Sequence, residues 1–174
     1  MNRWNKMFRK RYRGMSMMEL IGVMVVIGVL LATAGTSVSK NVKRSNREAV
    51  VNELQIYATG ISDAYYDLGT PSFNPSDPDA LDGFKRYLQV LQNNYLAVTF
   101  DFTTLVATDK GFEVTVASPK DTFENPYKFW FVTSDDVMKY AMVASGGDDG
   151  QIDVSGYANQ VYGDDIVLIV RPKS

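Results

Sequence analysis

A chain of 174 residues is long enough for one domain with a modest core, not two. It has neither histidine nor cysteine, which excludes disulfides, Ser-His-Asp and Cys-His nucleophile systems, and leaves oxygen ligands as the main route to a metal. Its 18 basic and 20 acidic residues nearly balance, yet Arg3, Lys6, Arg9, Lys10, Arg11 and Arg13 precede Gly14 with no acidic residue among them, leaving 12 basic against 20 acidic beyond it. An acidic body argues against nucleic acid as a partner, and the basic arm reads as the cytoplasmic flank of a membrane segment.

That segment follows at once. Leu20 to Ser39 holds twenty positions without a charge, about 30 Å of helix, which matches the hydrocarbon core of a bilayer. Val23, Val25, Val26, Ile27, Val29, Leu30 and Leu31 make it apolar all round, where a soluble core helix would keep one polar face. Two fates are open. The run can stay as an anchor, or it can be the apolar part of a secretory signal, with Ala32-Thr33-Ala34 as a small-residue cleavage site after Ala34.

Glu19, a lone carboxylate at the head of the run, bears on the choice. A charge at a bilayer's centre costs roughly 3 kcal/mol, less near the interface. Its setting, Arg-Tyr-Arg-Gly-Met-Ser-Met-Met-Glu-Leu over residues 11–20, resembles the class III signal of type IV prepilins. The resemblance implies a leader of residues 1–14, cut between Gly14 and Met15 by a prepilin peptidase, with N-methylation of the new terminus. Glu19 is then fifth from Met15 and would pair with the terminal amine of a neighbouring subunit. Two unit charges near 4 Å attract by roughly 4 kcal/mol at an effective dielectric of about 20, enough to offset the cost of the carboxylate. The chain departs from the family pattern at Met15, where phenylalanine is commoner, and at Thr36, where a kinking proline is frequent.

Beyond Ser39 the helical pattern does not stop. Lys40, Lys43, Arg44 and Arg47 are followed by Val50, Leu54, Tyr57, Ile61, Tyr65 and Leu68 at steps of three and four, opposite Asn52, Gln55, Thr59, Ser62 and Tyr66. No proline interrupts residues 15–68, so one helix is expected, membrane-spanning over 15–39 and amphipathic over 40–69, ended by Gly69-Thr70-Pro71. Residues 70–83 read as a loop, and Leu81, Phe84, Leu88, Leu91 and Tyr95 as a short second helix. Five strands are predicted: Val98–Val106, Phe112–Ala117, Tyr127–Thr133, Val137–Ala144 and Ile166–Val170. Helix first and strands afterwards predicts an α+β class, with an antiparallel sheet of a head spanning 70–174 laid on the helix stripe.

Two segments of the head extend the resemblance. Asp121-Thr122-Phe123-Glu124-Asn125-Pro126-Tyr127 is similar to a turn of the major pseudopilins of type II secretion, with Phe123 and Tyr127 as anchors on the sheet. Ser145-Gly-Gly-Asp-Asp-Gly150 and Gly163-Asp-Asp-Ile166 resemble their loop before the last strand, here 145–166, which implies bound Ca²⁺. Asp148, Asp149, Asp153, Asp164 and Asp165 crowd there, and carboxylates so close repel without a cation. The favoured ligands are Asp149, Asp164 and Asp165, then Asp153. The segment is not an EF-hand, since Gly156 stands where the closing glutamate would be.

The leading expectation is a structural subunit and not an enzyme. It would be a single-pass plasma-membrane precursor whose apolar helix packs with copies of itself and related pilins into a pilus or pseudopilus, built by an inner-membrane assembly platform. The alternative is a secreted or tethered calcium-binding domain processed after Ala34. A carboxylate enzyme such as a glycosidase would need an acid and a base paired in a cleft, but these aspartates cluster where turns and metal loops are expected.

Overall fold

The computed structural model describes residues 16–77, 79–152 and 164–172, the side chains at 33, 34 and 36 excepted. Helix α1 spans Met17–Leu68, 52 residues without a proline. The chain divides into two compact units between Val42 and Lys43. In the first unit the described side chains of α1 are all exposed; even Leu30 and Leu31 stand at 61% and 68%. Among the described residues α1 is the one helix long and apolar enough to cross a membrane.

In the second unit α1 acquires a buried stripe of Val50, Leu54, Tyr57, Ile61, Ala64 and Tyr65, while Asn52, Gln55, Thr59 and Tyr66 face outward. Leu68 departs from the expected stripe and is exposed, because it lies in the last turn before Gly69, whose φ of +76° ends the helix. Segment 70–77 is a loop tied to the sheet: the Phe73 amide donates to the Asp136 carbonyl at 2.8 Å, and the Met138 amide to that of Pro71 at 3.1 Å. Helix α2, Ala80–Asn94, starts a little before the predicted helix and buries Phe84, Leu88 and Leu91, whereas Leu81 is exposed on its outer side.

Strands β1 (Thr99–Thr108), β2 (Gly111–Lys120), β3 (Pro126–Ser134), β4 (Val137–Ser145) and β5 (Ile166–Val170) form one antiparallel sheet in the order of the chain. Asp135 and Asp136 join β3 to β4 with φ of 52° and 63°, the backbone of a two-residue hairpin turn that matches the strand twist. Pairings such as Phe112↔Phe131 and Phe129↔Val143 put one set of alternating side chains on the core face. There the Phe84 ring stacks on Phe112 at 4.2 Å, and Tyr57 meets Tyr127 and Phe129 at 5.3 and 5.9 Å. The second unit is thus a helix-on-sheet core of the α+β class, as expected.

Candidate functional site

Two places carry the residues singled out by the sequence. The first is the start of α1. Ser16 and Glu19 exchange bonds: the Ser16 amide donates to Glu19 Oε2 at 2.9 Å, and the Glu19 amide donates to Ser16 Oγ at 3.2 Å. This is a capping box, which satisfies two of the donors that every helix start leaves open. The carboxylate therefore has a hydrogen-bond partner inside its own chain. Gly14 and Met15 lie outside the described residues.

The second place is in the head, where turn 121–126 meets the segments after β4 and before β5. Asp121, buried at 4% exposure, organises it. Its Oδ1 accepts the amides of Phe123 at 2.9 Å and Asn125 at 2.8 Å, and its Oδ2 accepts the Ser145 hydroxyl at 2.5 Å. Asn125 Nδ2 donates to the Gly147 carbonyl at 2.9 Å, and Thr122 donates to the Asn46 carbonyl of α1 at 3.1 Å. Turn, loop and helix are thereby fixed to each other. Phe123 and Tyr127 pack on the core as anticipated, and the Tyr127 hydroxyl also donates to Glu53.

The aspartates of the loop are mostly committed to the protein itself. Asp148 pairs with Lys43, whose ammonium the contact holds above its ordinary range. Asp164 Oδ2 accepts the amides of Asp148 at 2.5 Å and Asp149 at 3.2 Å, and Asp149 Oδ1 accepts that of Gln151 at 2.8 Å. Gly147, at φ +59°, has room for nothing larger: a Cβ would stand 2.6 Å from the Asp164 carboxylate. Asp165 is buried at the start of β5, and Asp153 lies outside the described residues. Among the described residues no three acidic side chains converge as metal ligands. Lys43 and the backbone amides offset part of the repulsion among these carboxylates.

A cavity of about 610 Å³ opens beside this loop. It is lined by Lys43, Arg44 and Arg47 of α1, by Asp148, Asp149 and Asp164, and by Phe123 and Ile166. The sequence reading took the basic residues only as the step after the apolar run. Nothing local in the sequence brings Lys43 to Asp148, 105 positions away. Asp121 did carry a local signal, an aspartate two and four residues before amides in a turn. So did the Ser-x-x-Glu of residues 16–19. No family model, curated protein or solved structure matches the chain.

Proposed function

We propose that the chain is the precursor of a filament subunit of the type IV pilin and pseudopilin kind, cut after Gly14 and assembled through the apolar half of α1. The observation that carries this reading is the change of surface along α1. Its described side chains are exposed up to Val42, although most of that stretch is uncharged, and a buried stripe follows on the same helix. Apolar surface that its own chain leaves uncovered is stable in lipid or against copies of the same helix. α1 also runs without a break through Ala34, which favours retention of the segment over cleavage there. In the filament Glu19 would exchange its local bond to the Ser16 amide for the amine of a neighbouring Met15.

Glu19→Gln separates the two roles of the carboxylate. Glutamine at the same place still closes a capping box, so membrane insertion and the folded head should be kept. The charge that attracts an amine is gone, so assembly should fall to background in a filament shearing assay, with processing at Met15 read by mass spectrometry of the terminus. Filaments at normal yield from this variant would refute the pairing, and a terminus at Gly35 would establish ordinary secretion instead. Calcium is the second reading, favoured by the contact of Asp164 with the 148–149 backbone, which draws the two ends of the loop together. It requires ligands from Asp153 or its neighbours. Saturating Ca²⁺ should then raise the melting temperature relative to chelator, and no shift at millimolar calcium ends the claim.

A further inference from the structure

We infer that the cavity beside Lys43, Arg44 and Arg47 holds the phosphate of a membrane phospholipid. As formal charges, three cations and three carboxylates line the cavity of about 610 Å³. Their commitments differ. Asp148 is held by Lys43, Asp164 by two backbone amides and Asp149 by one. Arg44 gives Nε to Glu48, at 2.9 Å and with its side chain 81% exposed, and its outer nitrogens form no ion pair among the described residues. Arg47 makes no ion pair among the described residues, and the two arginines also line a second hollow of about 320 Å³ with Glu48, Val51 and Asn52. Their guanidiniums are planar, permanently charged donors, the pair that suits a phosphate.

Position selects the source of that phosphate. Lys43 to Arg47 follow Ser39, the last residue of the uncharged run, by one to two turns of α1. Basic residues so close to a membrane span meet phospholipid headgroups, and anionic lipid adds attraction that a neutral surface lacks. Phe123 and Ile166 give the cavity an apolar side for the glycerol and upper acyl carbons. The inference rests on entry of residues 20–39 into a bilayer and is independent of filament assembly.

The test reconstitutes the full chain in vesicles of phosphatidylcholine alone and of equal parts phosphatidylcholine and phosphatidylglycerol, then reads retained lipid by native mass spectrometry after mild extraction. The unaltered chain should carry phosphatidylglycerol out. Arg44→Gln with Arg47→Gln should weaken retention roughly thirtyfold. Lys120→Gln with Lys139→Gln, an equal loss of charge at exposed strand positions, should not change it. Equal retention by the arginine pair variant, with its melting unchanged, overturns the site. Displacement of the lipid by millimolar inorganic phosphate makes it a free-anion site and overturns the lipid assignment. Insertion with no lipid retained sinks this site alone, whereas failure to insert in either vesicle sinks the bilayer reading and the site together.

Discussion

The two halves of α1 both carry valine and leucine, yet they end in opposite states. Val25 and Leu30 are 61% exposed, while Val50 and Leu54 are at 0% and 1%. Forming the helix is a local matter, and both halves manage it because neither contains proline and most residues tolerate the conformation. Cover is a tertiary matter. The second half finds Tyr127, Phe129 and Met138 of the sheet, while the described side chains of the first half are all exposed. A fully buried aliphatic side chain is worth about 1.5–3 kcal/mol, so an uncovered run of them needs an apolar medium from outside.

The largest expected effect tests that division directly. Phe84→Ala removes a ring stacked on Phe112 and edge-on to Phe131, and should cost the head about 3–5 kcal/mol in denaturant unfolding of the full chain in detergent. Leu30→Ala should leave the same transition where it is. A comparable loss from both would mean that the first half is covered within the chain, and the contrast would fail.

How legible each region was follows the same line. The five strands were readable to within about three residues, because alternation is dictated by which side chains meet the core, and the helix stripe for the same reason. Sheet order and register were not, since they depend on which strand lies beside which. At the start of α1, Ser16 and Glu19 were close enough in sequence for their exchange of bonds to be read, but attention to charge hid it. In the head, the aspartates were visible and their partners were not. Lys43 and Asp164 reach residues 148 and 149 only after α1 and β5 have docked, so these contacts have no local signal in the sequence.

Asp121→Ala should have the next largest effect. It strips the acceptor from three donors at once, the amides of Phe123 and Asn125 and the Ser145 hydroxyl, in a place water does not reach. A loss of about 2–3 kcal/mol is expected, since bonds to a charged partner are the stronger kind and buried donors left open add their own cost. Asp121→Asn keeps one carbonyl oxygen for the two amides and should recover part of it. Hydrogen exchange locates the damage: amides at 123, 125 and 147 should lose protection, while the early residues of α1 should not change. A global change in α1 exchange would show that the two regions are coupled more tightly than their exposure implies.

The smallest effect is one of pH and belongs to the head alone. Burial, reinforced by the nearby Glu53 carboxylate, pushes the Tyr57 hydroxyl up to about 12. Burial and the hydrogen bond to Glu53 push Tyr127 upward as well. A folded-state value raised above that of the unfolded chain, near 10 for tyrosine, stabilises fully below about pH 10, and the gain is lost as pH rises toward about 12. The head should therefore hold a level stability through neutral pH and fall over that window. Tyr57→Phe keeps the edge-on ring contact with Tyr127 at 5.3 Å and gives up only the ionisable group. It should change unfolding at pH 7 by less than about 1 kcal/mol and flatten the alkaline fall. The apolar half of α1 has no tyrosine between Met17 and Val42, so Tyr57→Phe should leave its insertion into vesicles unchanged across the same range of pH.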